Sequence, residues 1–235
     1  MRILTFASTK GGVGKSTTAT LVADSLLRRG DTVRLVDFDE QNSVSKWAEP
    51  IADRHEHLTL TEFALPRGAS VPDYYNLMLA EFENETDWVI IDTKGADDAK
   101  QLAALAICDL VLAPSGPIDD EVTGVEKTLG YFEMALAATG EEDTDPKSLL
   151  RVVYQQPGQF VNQEMRAYAE IIEKHYGSIN GLHRSSAISS FIGNKMTTDE
   201  AIRLAKDEKR DAKAFVKIQQ AADRLTNEII GEFDE

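Results

Sequence analysis

A glycine-rich loop near the beginning of the 235-residue chain constrains the fold more than any other segment. Residues 8–18 read Ser-Thr-Lys-Gly-Gly-Val-Gly-Lys-Ser-Thr-Thr; they follow a short apolar run at 3–7 and precede a helical pattern. A buried strand, a glycine loop and a helix N-terminus in this order form a phosphate cradle, because the loop N–H groups and the helix dipole both attract an anion. The sequence therefore predicts a phosphate-binding loop at the first strand-to-helix junction.

The residue types within this loop match the needs of a bound nucleotide. Glycines let successive N–H groups turn towards the β-phosphate, Lys15 can reach the β and γ oxygens, and the Ser16 hydroxyl can ligate Mg²⁺. The loop departs from the standard motif because Thr9 replaces its first glycine and Lys10 precedes the glycine pair. The residues that we expect to contact the nucleotide are Lys10, Gly11, Gly12, Val13, Gly14, Lys15, Ser16 and Thr17.

The pattern Lys-Gly-Gly-Val-Gly-Lys-Ser-Thr resembles the deviant Walker A loop of the ParA/MinD superfamily of dimeric ATPases. In that family the first lysine reaches across a sandwich dimer to the partner's nucleotide. The resemblance thus gives Lys10, together with Lys15, a catalytic role in neutralising charge on the transferring phosphate. It implies ATP and Mg²⁺ as cofactors, a homodimer with ATP, and slow hydrolysis that a ParB-like or other adaptor protein stimulates.

Apolar runs alternate with helical patterns along the chain, as a parallel sheet covered by helices requires. The length and a hydrophobic content of 42% fit one α/β domain, 1–235, with a full core. We therefore predict a doubly wound, mostly parallel sheet with helices on both faces. The expected strands after the first are 32–37, 58–63, 88–92, 110–114 and 149–154, and the expected helices are 15–29, 73–83, 120–138, 162–175 and 212–230.

A first acidic motif follows the second predicted strand, at an edge of the sheet where such folds bind nucleotides. Residues 37–41, Asp-Phe-Asp-Glu-Gln, resemble the family's D-x-D-P-Q switch segment. The resemblance implies that Asp39 orients the attacking water and that Asp37 supports the magnesium shell. Glu40 stands in place of the usual proline, which predicts a less rigid loop.

A second acidic motif, residues 92–95, reads Asp-Thr-Lys-Gly and resembles the family's second switch. The resemblance implies that Asp92 holds a water of the Mg²⁺ shell and that Gly95 offers its N–H to the γ-phosphate. Lys94 departs from the small residue common in relatives; it is either solvated or an additional contact to nucleotide or partner. For adenine, the family's usual asparagine is missing, and Gln155 is the candidate contact at the corresponding place.

Charge is distributed unevenly along the chain, whose net charge is −15. Residues 184–217 contain eight basic and five acidic residues, so this segment is net positive. By resemblance, it supplies Arg184 and Lys195 to a face that binds DNA non-specifically and forms only across the ATP dimer. The alternative is a solvated helix with charge pairs along its own surface.

The remaining features favour a cytoplasmic protein that associates with the nucleoid when ATP is bound. No signal peptide or long apolar run is present, and the single cysteine, Cys108, excludes a disulfide scaffold. The amphipathic pattern at 212–230 predicts packing on the core. A MinD-like membrane anchor is disfavoured because the acidic residues 231–235 would be repelled by anionic lipids.

The resemblance favours a short ParA-type protein that partitions or positions a cargo such as a plasmid, since no helix-turn-helix precedes the first strand. Two alternatives stay open. ParA-like accessory ATPases of conjugative or T-DNA transfer share features around residues 46–47, Lys-Trp. A metabolic ATP-dependent synthetase on the same fold is more distant, because a site within one chain has no use for Lys10 in trans.

Overall fold

The computed structural model describes residues 1–66, 68–82, 86–95, 98–155, 161–182 and 186–234. The strands within these residues are β1 (Arg2–Phe6), β2 (Val33–Asp37), β3 (Leu58–Leu60), β4 (Trp88–Asp92), β5 (Leu110–Ser115), β6 (Leu150–Tyr154) and β7 (Ser178–Asn180). They form one sheet in the order β3-β2-β4-β1-β5-β6-β7. Every pairing among these described strands is parallel, which confirms the predicted fold class.

Helices connect the strands. The helices are α1 (Lys15–Arg29), α2 (Ser43–Ala52), α3 (Val71–Phe82), α4 (Ala99–Ile107), α5 (Asp119–Thr139), α6 (Gln163–Tyr176), α7 (Ser186–Gly193), α8 (Thr198–Asp207) and α9 (Lys213–Gly231). Helix α1 has the predicted bounds, with Gly30 at its C-cap. The sequence pattern does not delimit α2, α4, α7, α8 or β7; β7 has only three residues, and α4 is too apolar to show a helical period.

Two apolar clusters pack on opposite faces of the sheet. In β1, Leu4 and Phe6 belong to the cluster that contains α1, α2 and α9, whereas Ile3 belongs to the cluster that contains α3, α4 and α5. Side chains alternate in this way because successive residues of a strand point to opposite faces. The sheet is therefore covered on both sides, as parallel sheets require.

The register of the central strands determines where the site lies. Asp92 at the end of β4 is the register partner of Phe6 in β1 and of Asp37 in β2. The loops that follow these three strands therefore begin side by side at the carboxyl edge of the sheet, which is where open α/β folds bind ligands.

Helix α9 packs on the core, as predicted. Ile218, Ala222, Leu225 and Ile229 are buried in the cluster that also contains α1. In the described residues, none of the helices combines the length and apolar character that crossing a membrane would require.

Candidate nucleotide-binding site

The glycine loop connects β1 to α1. Gly12 and Gly14 have φ angles of 75° and 95°, in the left-handed region that favours glycine. Gly14 is also the N-cap of α1 and brings no side chain to satisfy the first N–H groups of the helix. These groups, together with the helix dipole, form the anion site that the sequence predicts.

A pocket of about 780 Å³ opens at this loop. Most of the predicted nucleotide contacts line it, but Lys10 and Val13 are not among the lining residues in the described part of the chain; the Val13 side chain is buried. The pocket also reaches the loop after β2, the loop after β4 and the end of α7. Its lining residues are Gly11, Gly12, Gly14, Lys15, Ser16, Thr17, Thr20, Asp39, Glu40, Gln41, Ser43, Lys94, Ile192 and Gly193.

Lys15 provides a buried cation at the base of the site. Its side chain is at the first position of α1, and the residue is only 7% exposed. Burial lowers the pKa of the ammonium group, while the nearby carboxylates of Asp92 and Asp39 act in the opposite direction. An anionic ligand would therefore stabilise the charged form of Lys15 in a place where water cannot.

Asp92 provides a buried carboxylate beside this lysine. Burial raises its pKa to about 7; the Ser16 hydroxyl and Lys15 lower it, and Asp37 and Asp39 raise it further. Although Ser16 lies close enough to affect this pKa, neither Asp92 oxygen has a hydrogen-bond partner of normal geometry among the described residues.

A buried polar atom without a partner costs about 1–3 kcal/mol, and more for a charged group. A cation or a cation-bound water would remove this cost. A carboxylate and a hydroxyl are oxygen donors of the kind that Mg²⁺ prefers. Ser16 and Asp92 therefore fit the magnesium site that the resemblance implies.

The loop after β2, which we call the first switch loop (residues 37–42), is held by carboxylates. Asp37 Oδ2 accepts the N–H groups of Val44 at 3.0 Å and Ser45 at 2.9 Å, and its Oδ1 accepts the N–H of Asp39 at 3.0 Å. Asp39 Oδ1 in turn accepts the N–H of Gln41 at 2.9 Å. These hydrogen bonds shape the loop where the family's proline is missing; that the loop is less rigid stays a prediction.

These contacts give Asp37 a structural role as well. It accepts backbone N–H groups from the first turn of α2, which would otherwise be unsatisfied at the helix start. Its contribution to the magnesium shell stays a prediction. Asp39 lines the pocket, as a residue that orients water must.

The loop after β4, which we call the second switch loop (residues 92–95), is anchored on both sides of Lys94. The Thr93 hydroxyl donates to the Phe6 carbonyl at 3.0 Å, and the Gly95 N–H donates to Gln101 Oε1 at 2.6 Å. The Gly95 N–H that we expect to face the γ-phosphate is therefore occupied by Gln101 in this structure. Lys94 Nζ is 3.1 Å from Glu40 Oε1, so the two switch loops contact each other.

Lys10 lies beside the pocket in an exposed ion pair. Its Nζ donates to Asp120 Oδ2 at 2.7 Å, and this hydrogen bond and charge raise the pKa of Lys10. The backbone of the loop here packs closely on α5, because a Cβ on Gly124 would be 3.3 Å from the Lys10 Cβ. The fold thus holds the Lys10 backbone firmly and leaves its side chain accessible.

Gln155 lies at the end of β6, against the glycine loop. Its side-chain Nε2 donates to the Val13 carbonyl and would be 2.7 Å from a Cβ on Gly14. In this structure Gln155 supports the glycine loop and is not among the residues that line the pocket in the described part of the chain. Its role as an adenine contact stays a prediction, and residues 156–160 beside it lie outside the described residues.

Part of the basic segment lies near the pocket. Arg184 itself lies outside the described residues. Lys195 is exposed and follows Ile192 and Gly193, which line the pocket. Of the other basic residues, Arg210 pairs with Glu208. The exposed basic side chains in residues 186–217 are Lys195, Arg203, Lys206, Lys209, Arg210, Lys213 and Lys217.

Sequence reasoning misses two residues that contact the predicted site, Asp120 and Gln101. Asp120 has no local signal, because its partner Lys10 is 110 residues away. Gln101 does have a local signal, because Asp98 caps α4 by accepting the Gln101 N–H at 3.0 Å. An aspartate followed three residues later by glutamine is a helix-start signature that predicts α4 and places Gln101 in its first turn.

Comparison with known proteins agrees with this geometry. Residues 4–223 match a family described as the CobQ/CobB/MinD/ParA nucleotide binding domain. Protein ParA of Rhizobium radiobacter is 29% identical over 158 residues, which cover 66% of this chain and 64% of the relative. Maintenance of carboxysome distribution protein A of Halothiobacillus neapolitanus is 29% identical over 158 residues, covering 63% of this chain and 68% of that protein.

A solved structure confirms the fold. A plasmid partition protein from Borrelia burgdorferi bound to AMPPNP superposes with a TM-score of 0.62 at 20% sequence identity, covering 92% of this chain and 97% of that chain. The chain thus spans less than two thirds of the length of the curated ParA relative but nearly all of the solved partition protein.

Proposed function

The chain belongs to the CobQ/CobB/MinD/ParA nucleotide-binding family, and on that premise we propose that it is a Mg²⁺-dependent ATPase that dimerises on ATP and positions a cargo by binding DNA non-specifically. One observation carries the proposal. A single pocket joins the glycine loop, the buried Lys15 and Asp39, with the unpartnered carboxylate of Asp92 beside it. In this proposal residues 1–235 act as one ATPase domain.

The residues of the pocket divide the chemistry of hydrolysis between them. Loop N–H groups and Lys15 bind the β- and γ-phosphates. Ser16 would hold Mg²⁺, with Asp92 and Asp37 as the carboxylates that support it; the bound metal would neutralise phosphate charge. Asp39 orients a water for in-line attack on the γ-phosphorus. The new P–O bond forms as the bond to ADP breaks, and the water's protons leave with phosphate and solvent.

Lys10 completes the site of a second copy in this proposal. Its exposed ion pair with Asp120 is of a kind that contributes little to stability, so the ammonium group can leave it for a partner's nucleotide. Among the described residues Lys10 does not line its own pocket, which supports use in trans over a synthetase that works as one chain.

The DNA-binding part of the proposal depends on the basic segment. Seven exposed basic side chains lie on or beside α8 and the first turns of α9, and Lys195 lies two residues from the wall of the pocket. Arg184 and Lys195 are the proposed contacts. A dimer doubles the number of phosphate contacts, so ATP would switch DNA binding on, and an adaptor that stimulates hydrolysis would switch it off. The protein would then act in the cytoplasm, on the nucleoid when ATP is bound.

Residues 46–47 do not decide between cargo partition and the transfer-accessory alternative. Trp47 is 1% exposed, and its Nε1 donates to the Met196 carbonyl at 3.0 Å. Lys46 Nζ donates to the Gln41 carbonyl at 2.7 Å, within the first switch loop. Both residues therefore serve the fold, so their resemblance to transfer proteins does not identify a cargo.

Phosphate release and light scattering test the proposal together. We expect slow phosphate release from ATP with Mg²⁺ and none with EDTA, and a molar mass that doubles with ATP but not with ADP. Asp39→Ala should remain dimeric with ATP while its turnover falls about 100-fold, because the water loses its orienting carboxylate. The exposed Asp53→Ala is the control. Turnover by Asp39→Ala at the wild-type rate removes Asp39 from the mechanism.

A further inference from the structure

Glu40 and Lys94 are the positions at which the two switch loops depart from the family pattern, and the fold brings them together. Lys94 Nζ lies 3.1 Å from Glu40 Oε1. Both side chains line the pocket that also contains Lys15 and Asp39. The two departures therefore form one contact at the place where phosphate is expected.

The topology of the sheet explains this contact. Asp37 and Asp92 are register partners at the ends of β2 and β4, so the two switch loops leave the sheet side by side. Backbone atoms at both loops are held: Asp37 accepts one N–H group in the first loop and two in the first turn of α2, and the Thr93 hydroxyl donates to the Phe6 carbonyl.

The side chains of the pair are exposed to solvent, whereas the loop backbones are held by hydrogen bonds. Glu40 is 81% exposed and Lys94 is 52% exposed. An ion pair this exposed is weak and screened by salt, so a stronger anion in the same pocket can replace the carboxylate.

We propose that Lys94 recognises the γ-phosphate and that Glu40 holds Lys94 when no triphosphate is bound. This inference rests on the proposed function, because it needs ATP in the pocket. The γ-phosphate carries more negative charge and more acceptor oxygens than a carboxylate, so Lys94 pairs with the γ-phosphate instead of Glu40. ADP lacks the γ-phosphate and leaves the pair in place. The contact between the switch loops therefore breaks only with the triphosphate.

Calorimetric titration with Mg²⁺-ADP and Mg²⁺-AMPPNP tests the role of Lys94. Lys94→Ala should lose about tenfold in affinity for AMPPNP, since one charge-assisted contact is removed, and change by less than about twofold for ADP. Lys147→Ala is the matched control, because Lys147 is an exposed lysine in the loop before β6, at the opposite edge of the sheet. It should change neither affinity.

A second variant tests the exchange itself. Glu40→Gln should gain about threefold in affinity for AMPPNP, because the γ-phosphate no longer competes with a carboxylate for Lys94. The gain should disappear when Lys94→Ala is also present, and ADP binding should be unchanged. Glu49→Gln, an exposed carboxylate on α2, is the control.

The outcomes separate this inference from the function on which it rests. Equal losses for ADP and AMPPNP in Lys94→Ala, or no loss for either, overturn the inference while leaving nucleotide binding intact. A Glu40→Gln effect that persists without Lys94 overturns it as well. If the wild-type chain binds neither nucleotide, the proposed function and the inference both fall.

Discussion

Two ionisable residues in this site are buried, although in water their charged forms would be hydrated. Lys15 is a buried ammonium group, and Asp92 is a buried carboxylate without a hydrogen-bond partner among the described residues. Burial lowers the pKa of Lys15 and raises the pKa of Asp92, which favours the neutral form of each side chain. Such groups destabilise an empty site, and a charged ligand that binds there stabilises their charged forms. This behaviour is expected of a binding site.

The first prediction at this scale concerns Lys15. Lys15→Ala should lower Mg²⁺-ATP affinity at least about 100-fold, because the lost contact is a buried, charge-assisted one to the β- and γ-phosphates. Calorimetric titration measures this, with circular dichroism to show that the variant is folded. Lys147→Ala serves as the control. Affinity within twofold of wild type would contradict the assignment of the glycine loop as a phosphate cradle.

The second prediction concerns Asp92 and pH. Its folded-state pKa of about 7 lies above the usual value of 3.8, so between these values the folded state binds the proton more tightly than the unfolded state. The free energy of unfolding should therefore fall as pH rises through this window. Asp92→Asn cannot ionise and should lose that dependence.

Urea unfolding in EDTA at several pH values measures this effect. The stability of Asp92→Asn relative to wild type should rise between about pH 4 and pH 7, by at most about 4 kcal/mol at about 1.4 kcal/mol for each pKa unit. EDTA keeps metal binding out of the comparison. Parallel stability profiles for the two proteins would show that Asp92 has an ordinary pKa.

Among the elements, the switch loops are shaped by carboxylates that bind backbone N–H groups. Asp37 bridges the end of β2 and the start of α2, and Asp39 closes the turn between them. Trp47 then fixes α2 to the segment between α7 and α8 through its bond to Met196. The first switch loop is thus connected to the segment that carries Lys195.

A prediction about α2 follows from the Asp37 contacts. Asp37→Ala should lower the free energy of unfolding by about 1–3 kcal/mol even in EDTA, because three backbone N–H groups lose their acceptor. Asp53→Ala, at the other end of the same helix and exposed, should change it by less than about 0.5 kcal/mol. Urea denaturation compares the two. Equal stabilities would mean that Asp37 acts on the metal alone.

At the scale of the whole molecule, an acidic protein presents one basic region next to its nucleotide pocket. The net charge of −15 opposes DNA binding by the surface as a whole, whereas the segment from Lys195 to Lys217 carries seven exposed basic side chains and is net positive. In the proposed function a single copy offers few phosphate contacts, so DNA binding would depend on bringing two such regions together.

The corresponding prediction is DNA binding that requires ATP and falls steeply with salt. Anisotropy titrations of unrelated duplexes should show similar affinity for each sequence with ATP and much weaker binding with ADP. Lys195→Glu should weaken binding to all duplexes, and loss of its contact should reduce the salt slope by about one per neutralised phosphate. Lys147→Glu is the control. No binding by wild type with ATP at low salt would favour an adaptor-mediated role.

Features that depend on neighbours along the chain could be predicted from the amino-acid order. The glycine loop between β1 and α1, the buried strand Trp88–Asp92 and the acidic residues at strand ends are all readable locally, since spacing and apolar runs fix them. They are sufficient to predict the parallel α/β fold and most of the pocket lining.

Which of these segments contact one another depends on the tertiary structure. Lys10 pairs with Asp120, Gln155 supports Val13, and Glu40 pairs with Lys94, although the partners are far apart in sequence. No local pattern encodes these pairs, because they depend on the strand order and on the register that aligns Asp37 with Asp92. Strand order results from packing of the whole chain. It places Glu40 and Lys94, the two residues that differ from the family pattern, in contact with each other.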